Sequence, residues 1–290
     1  MSASDKPQNK TGVLTISCPD KRGIVARVSR FLNDHDCNII DSQQFGDRGN
    51  GRFFMRIHYD STGGIGEDVL AKEFEPIAKE FAMEDHFYDA AKKTRTLIMV
   101  SRFGHCLVDL LYRLRIGALP IEVPMIVSNH RDWADVAAAN GIPFRYLPVT
   151  KDNKVEQEEA LRDIVASKKI DLVVLARYMQ ILSPELTHDL AGKVINIHHS
   201  FLPSFKGARP YHQAHERGVK LIGATGHYVT DELDEGPIIE QEVERITHAM
   251  SPEECAAAGR DIESRVLARA VKWHAEHRVL LNGRRTVVFT

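Results

Sequence analysis

The sequence has 290 residues, 43% of them hydrophobic and 27% charged, with a formal net charge of -2. That length suits two domains, since one takes about 100–200 residues, and the near-neutral balance gives no argument for nucleic acid or an anionic membrane surface. Four cysteines, Cys18, Cys37, Cys106 and Cys255, show no CxxC spacing and read as reduced thiols, not as a disulfide frame or zinc site. Met1 to Lys10 is polar and lacks an apolar signal core. No apolar run approaches the ~20 residues of a membrane span. The expectation is a soluble cytoplasmic protein with no membrane or nucleic-acid partner.

Residues 1–11 are expected to form a disordered tail, and residues 12–90 a small α+β domain. Gly12 to Cys18 is an alternating apolar strand. Asp20-Lys21-Arg22-Gly23 makes a turn, after which Ile24, Val25, Val28, Phe31 and Leu32 recur at helical spacing. Asn38 to Phe45 is a second strand, Asp47 to Gly51 a hairpin turn and Arg52 to Tyr59 a third strand. Gly66 to Met83 is an amphipathic helix and His86 to Ala90 a last strand, so the order is the ferredoxin-like βαββαβ. One sheet face takes the two helices; the other carries apolar residues that need cover, which predicts a homo-oligomer. The stretches Cys18-Pro19-Asp20-Lys21-Arg22-Gly23-Ile24-Val25 and Cys37-Asn38-Ile39-Ile40-Asp41 resemble an ACT domain, a small-molecule sensor of metabolic enzymes. The resemblance implies an amino-acid effector site from Asp20, Gly23, Ile24 and Asn38 where two such domains pair. A turn feeding a helix N-terminus offers free N–H groups to a carboxylate.

Residues 91–95 read as a linker, and 96–290 as a second domain with a Rossmann-like, mostly parallel sheet. Leu97–Val100, Ile121–Val127, Leu172–Ala176 and Val194–Ile197 are short Val/Ile-rich runs. They are separated by helix-like stretches at Cys106–Leu114, Asp132–Asn140, Val155–Ser167 and Ser183–Leu190. Continuous apolar strands of this kind belong to a sheet covered on both faces. Strands at Ala224–Val229 and Pro237–Arg245 follow, then a helix at Pro252–His274. A hairpin closes the chain, with Arg278–Leu281 and Thr286–Phe289 flanking Asn282-Gly283. The charges at Glu156–Glu159 and Lys168-Lys169 read as solvated helix faces.

The chemistry concentrates at Asn196-Ile197-His198 and Asp234. Alternation along a strand puts Asn196 and His198 on one face. An amide can donate to a developing oxyanion, an imidazole can move a proton near neutral pH, and a carboxylate can orient it or activate water. Read alone, the pair could equally be strand-end residues satisfied by backbone, and Asp234 a turn residue. His199, His212, His215 and His227 raise the thought of a metal cluster, but their spacing is weak and hydrogen-bonding roles are preferred.

Three motifs in order carry a closer resemblance: Leu175-Ala176-Arg177-Tyr178-Met179-Gln180-Ile181-Leu182-Ser183-Pro184, Asn196-Ile197-His198-His199-Ser200-Phe201-Leu202-Pro203, and His227-Tyr228-Val229-Thr230-Asp231-Glu232-Leu233-Asp234-Glu235-Gly236-Pro237. Residues 95–275 resemble the folate-dependent formyltransferase domain shared by glycinamide ribonucleotide formyltransferases and 10-formyltetrahydrofolate deformylases. That resemblance implies Asn196, His198 and Asp234 as the catalytic trio. It implies a folate pocket from Met179, Gln180, Ile181 and Leu182 with Thr230, Asp231, Glu232 and Leu233, acting largely through backbone groups. The leading ACT domain, His199 in place of a proline, and the wording of Gly207 to Ala214 match the deformylase branch. Arg102, Phe103 and His105 put bulk where the transferases use a small-residue turn to cradle phosphate. Gly226, where this branch usually has alanine, is expected to loosen its strand.

The expected activity is hydrolysis of 10-formyltetrahydrofolate to formate and tetrahydrofolate, feeding purine synthesis, with no metal and no cofactor. The resemblance also suggests methionine as activator and glycine as inhibitor. The alternatives are formyl transfer to an amine acceptor and a non-catalytic amino-acid or folate sensor.

Overall fold

The computed structural model describes residues 10–202 and 210–290. The first nine residues of the expected tail, and the first three of the motif beginning at Gly207, lie outside the described residues. The chain divides into two compact units, 1–93 with 276–282 and 287–290, and 94–275 with 283–286.

The first unit runs β1 (Lys10–Pro19), α1 (Ile24–Asp34), β2 (Cys37–Asp47), β3 (Arg52–Ser61), α2 (Glu67–Phe81) and β4 (Glu84–Asp89). Lys10 and Thr11, expected in the tail, pair with Ser61 and Asp60 in the sheet. The sheet order is β2-β3-β1-β4, all neighbours antiparallel, which is the ferredoxin-like arrangement. Alternation sends Leu14, Ile16, Met55 and Ile57 into a core with Val28, Leu32, Leu70 and Phe74 of the helices. Gly23 has φ 99°, a left-handed conformation suited to glycine, and releases the turn into α1.

The register bears on the expected effector residues. Asn38 pairs with Asp60, which faces Thr11, whereas Asp20 follows Pro19 at the far end of β1. Nine residues of strand separate Thr11 from Asp20, or about 30 Å at ~3.3 Å per residue. Asp20, Gly23 and Ile24 therefore sit together, and Asn38 lies at the opposite end. Within one chain these residues do not form a site.

The opposite face of this sheet is partly covered from within the chain. The terminal hairpin, β12 (Val279–Asn282) and β13 (Arg285–Val288), contributes Leu280 to a cluster that, with Phe289 just beyond β13, encloses Phe54 completely. Buried Arg56 donates to the Glu276 carbonyl, from Nη2 at 3.0 Å and Nε at 3.3 Å. His277 stacks on Tyr88 at 3.5 Å, and Asn282 donates to Asp47 at 2.8 Å. The sequence reading assigned this hairpin wholly to the second domain and drew a homo-oligomer from an uncovered face. The hairpin meets the apolar demand at Phe54, whereas Phe45, its β2 partner on the same face, stays exposed, so the cover from within the chain is partial.

The second unit runs β5 (Thr94–Val100), α3 (His105–Arg115), β6 (Ile121–Ser128), α4 (Ala134–Ala139), β7 (Phe144–Tyr146), α5 (Lys154–Ser167), β8 (Leu172–Leu175), α6 (Pro184–Asp189), β9 (Val194–His198), α7 (Pro210–Glu216), β10 (Leu221–Tyr228), β11 (Ile238–Arg245) and α8 (Pro252–Ala275). Thr94 already pairs with Ile121, so the expected linker loses its last two residues to β5. The sheet order is β11-β10-β9-β8-β5-β6-β7. Strands β9, β8, β5, β6 and β7 are parallel, and β10 is antiparallel to both neighbours. The order reverses between β5 and β8, and a crevice beyond the carboxyl ends of strands at such a point is where ligands bind.

Two local expectations change. Glu158 is buried, not solvated: it accepts the Ser183 N–H at 2.9 Å and ties α5 to the turn before α6. Gly226 does not leave slack, because a Cβ there would lie 3.1 Å from Ala270 Cβ and 3.3 Å from Val266 Cγ1.

Phe54→Ala should destabilise the first unit by ~3–5 kcal/mol. The expected readout is earlier loss of hydrogen-exchange protection in β1, β3 and β12; unchanged protection would show that the hairpin is no part of that core.

Candidate active site

Three loops meet at the crevice. The first follows β5, where Ser101 takes the pivotal place. Its Oγ donates to Asn129 Oδ1 at 2.7 Å and accepts the Met179 N–H at 2.9 Å; its N–H donates to the Arg177 carbonyl at 3.3 Å. The second loop, after β8, is thereby pinned at both Arg177 and Met179. Arg177 has φ 63°, uncommon for a non-glycine residue and a mark of a conformation held by its surroundings. The third loop joins β10 to β11. It is pinched where Tyr228 N–H donates to the Pro237 carbonyl at 2.9 Å. A Cβ on Gly236 would fall 1.8 Å from the Tyr228 oxygen, so only glycine fits there.

The loops enclose a cleft of about 340 Å³. Met179, Gln180, Ile181, Leu182, Thr230, Asp231, Glu232 and Leu233 all line it, as do Asn196, His198 and Asp234. Met179, Ile181 and Leu233 stay exposed, which offers an apolar rim to a flat ring. Asp231 is fixed by the Thr187 hydroxyl at 2.6 Å. His212 and His215 are not among the residues lining the cleft.

Alternation along β9 does place Asn196 and His198 on one face, with β10 opposite: Asn196 pairs with His227 and His198 with Thr225. Asp234, in a left-handed conformation at φ 58°, brings Oδ1 to 3.2 Å from His198 Nδ1 and 3.7 Å from His227 Nε2. Burial alone would raise the Asp234 carboxyl. The hydrogen bond and charge interaction with His198 are the largest of the effects that outweigh it and hold the group below the usual carboxylate range. Asp234 is thus ionised, and His198 presents Nδ1–H to it. His198 Nε2 is left buried with no hydrogen-bond partner among the described residues, the position from which it can meet a ligand.

His227, expected in a hydrogen-bonding role, makes two contacts that fix its tautomer. Its Nδ1 lies 2.9 Å from the Tyr228 carbonyl, which can only accept, so Nδ1 carries the proton. Burial pushes this ring's pKa down, which keeps it neutral. Nε2 is then an acceptor, and Asn196 Nδ2 donates to it at 3.2 Å. This fixes the Asn196 amide with its second N–H available to the cleft.

Behind the cleft lies a second cluster that the sequence reading missed. Glu263 of α8 is 1% exposed. It accepts from Tyr211 Oη at 2.7 Å and pairs with His105 Nε2 at 2.8 Å and Arg177 Nε at 3.3 Å. Burial would raise this carboxyl, but His105, Arg177 and Tyr211 hold it low. Potential ligand atoms of His105, Cys106 and Glu263 lie within 4.8 Å of one another. Burial pushes the Cys106 thiol well up, and the adjacent Arg177 charge opposes a second cation, so the donor set suits a hydrogen-bond hub and not a metal ion. Glu263 could have been found, since it falls beside Ile262 and three residues before Val266 on the buried stripe of α8.

The fold and this site define a sensor unit joined to a formyl-transferring type of domain. Residues 94–271 match the family model for formyl transferases and residues 12–63 that for ACT domains. The formyltetrahydrofolate deformylase of a Corynebacterium species is 50% identical over 95% of this chain and 97% of its own. The crystal structure of the Burkholderia mallei deformylase is 53% identical with a TM-score of 0.93, covering 97% of this chain and 100% of that one. Glycinamide ribonucleotide transformylase 1 of Symbiobacterium toebii is 28% identical with a TM-score of 0.64, over 69% of this chain and 95% of that one. The chain belongs to the formyltetrahydrofolate deformylase family, and it is a hydrolase of that family. Among the described residues no helix is long and apolar enough to cross a membrane.

One buried group gives the site strand a pH dependence. His274 Nδ1 pairs with the Tyr228 hydroxyl at 2.7 Å, and burial lowers its pKa to about 4. The unfolded chain, with His near 6.5, binds this proton at a higher pH than the folded one. The stabilisation is therefore complete above the unfolded value and is lost as pH falls towards the folded one. Wild type should be measurably less stable to urea at pH 4.5 than at pH 7.5. His274→Gln should flatten that difference, and an unchanged profile would remove His274 as its source.

Proposed function

We propose that this chain hydrolyses 10-formyltetrahydrofolate to formate and tetrahydrofolate. The observation that carries the reading is the convergence of an ionised Asp234, His198 and a fixed Asn196 amide on one cleft. In this reading the pterin lies against residues 179–182 and 230–233. Asn196 Nδ2 and His198 Nε2 face the formyl oxygen and donate to it as it becomes an oxyanion. Asp234 accepts a proton from the attacking water, directly or through a water network, while it orients His198. His198 is the nearest group to return a proton to the leaving folate nitrogen. No cofactor is assigned a step.

Water is favoured over an amine acceptor by the turn after β5. Gly104 is covered by Trp133, whose ring would lie 2.0 Å from a Cβ there, and Trp133 Nε1 donates to the Arg102 carbonyl at 3.2 Å. His105 is held by Glu263. Phe103 and the Trp133 ring put bulk at this turn, where a phosphate cradle would need open space around small residues. Glycinamide ribonucleotide should be neither formylated nor inhibitory at millimolar concentration; a formylated product in the mass spectrum would move the assignment to the transferase.

The ACT domain supports regulation by a small amino acid, with methionine activating and glycine inhibiting. The supporting feature is the Asp20–Gly23 turn, with Ile24 buried at the start of α1 and Gly23 in a left-handed conformation. Asn38 could join such a site only from a second copy of the chain.

Formate release from 10-formyltetrahydrofolate, assayed without an acceptor, tests the activity. Asp234→Asn should nearly abolish it while folate affinity stays within a few-fold; retention of half the wild-type kcat would remove the role given to Asp234. Asn196→Ala should cost ~2.7–4 kcal/mol of transition-state stabilisation, read as a fall in kcat with little change in KM.

A further inference from the structure

Hydrolysis of a formamide changes the charge inside the cleft. The water oxygen bonds to the formyl carbon, the carbon–nitrogen bond breaks, and the folate nitrogen gains a proton. The formic acid gives up its remaining proton near neutral pH. An anion therefore appears beside Asp234, itself ionised. The described residues lining the cleft include the acids Asp231, Glu232 and Asp234, and Arg177 is the one arginine or lysine among them.

Arg177 is placed for that anion. Its side chain is 11% exposed, and its Nε makes no hydrogen bond among the described residues. The guanidinium lies over the Phe103 ring at 5.8 Å, which limits its swing. Glu263 holds it from behind without saturating it. One carboxylate oxygen is taken by Tyr211 and the other by His105, and Arg177 Nε stands 3.3 Å away as an ion pair. The backbone beneath is fixed too: Arg177 N–H donates to the Leu175 carbonyl at 3.0 Å and its own carbonyl accepts from Ser101. A buried carboxylate with three partners, placed behind a cleft and joined to it by one guanidinium, is an arrangement that positions a charge.

We propose that Arg177 is a carboxylate-binding group of the cleft, receiving the released formate, and that Glu263 is the positioning residue that presents it. The proposal rests on the hydrolytic reading above and adds a product subsite to it. An Arg guanidinium offers a paired set of N–H donors matched to the two oxygens of a carboxylate.

The test is binding of ¹³C-labelled formate to the full chain, followed by NMR without turnover. Wild type should bind formate, and formate should inhibit hydrolysis. Arg177→Gln and Arg177→Gly should weaken binding about tenfold or more, the loss expected for a charge-assisted hydrogen bond. The glycine variant also relaxes the left-handed backbone and so separates strain from charge. Arg177→Lys should keep part of the affinity, and Glu263→Gln should weaken it with Arg177 still present. In all four the folate KM should stay within about threefold, since a product subsite is not a folate contact. Formate that fails to bind wild type, or that binds Arg177→Gln and Arg177→Gly unchanged, overturns the proposal. Glu263→Gln is scored only if its thermal melt is cooperative; the Arg177 variants decide the matter otherwise. Because binding is read without catalysis, its failure leaves hydrolysis standing, whereas failure of the hydrolytic reading appears as absent formate release.

Discussion

The site depends on one constraint: a carboxylate withdrawn from water must be compensated where it stands. Asp234 meets this through the His198 Nδ1–H at 3.2 Å, and the rest of the cleft is arranged around that demand. Strand β9 delivers His198, antiparallel β10 delivers His227, and their register puts His227 opposite Asn196, two residues along β9 from His198. The loop bearing Asp234 must then double back within a few residues, which it does through a left-handed aspartate and a glycine pressed on the Tyr228 carbonyl. Aspartate is among the few side chains that tolerate such a backbone. The same electrostatics fix the neighbours: a neutral His227 can accept from Asn196 only because its other nitrogen is committed to a carbonyl.

Glu263 applies the same physics behind the cleft. It too is buried and held ionised by its partners, but those partners include a permanent cation, while Asp234 is served by histidines. The difference matters. A carboxylate beside imidazoles can trade protons on the timescale of a reaction, whereas one beside arginine keeps its charge throughout. The cleft therefore has a lining suited to moving protons and, behind Arg177, a cluster suited to holding geometry. Ser101 joins the two by anchoring the Arg177–Met179 loop.

Much of this was legible in the sequence because it follows local periodicity. Both sheets were announced by alternation or by short Val/Ile runs, and the shared face of Asn196 and His198 follows from the period of a strand. What was hidden depends on partners far away in the chain. Glu263 meets His105 across 158 positions and Glu158 meets Ser183 across 25; the buried stripe of α8 marks Glu263 as an inward acid but names none of its partners. The three residues of β7 are too short to show a period, and the edge strand emerges only from pairing with β6. The separation of Asn38 from Asp20 was recoverable, since two antiparallel hairpin partners place the start of β2 beside the start of β1. Cover for the Phe54 face was not, because the hairpin signal at Asn282-Gly283 carries no address.

That hairpin has a consequence for how the chain is made. Residues 276–282 and 287–290 complete the first unit, yet they are synthesised after everything in the second. A ribosome that has released residues 10–93 has produced a sheet whose Phe54 and Arg56 still lack their final partners, and they wait through some 180 further residues of translation. Completion of the first unit is thus a late event, and it follows synthesis of the second unit up to Ala275. Gene fragments cut between the two units would inherit an unfinished sheet on one side and a homeless hairpin on the other.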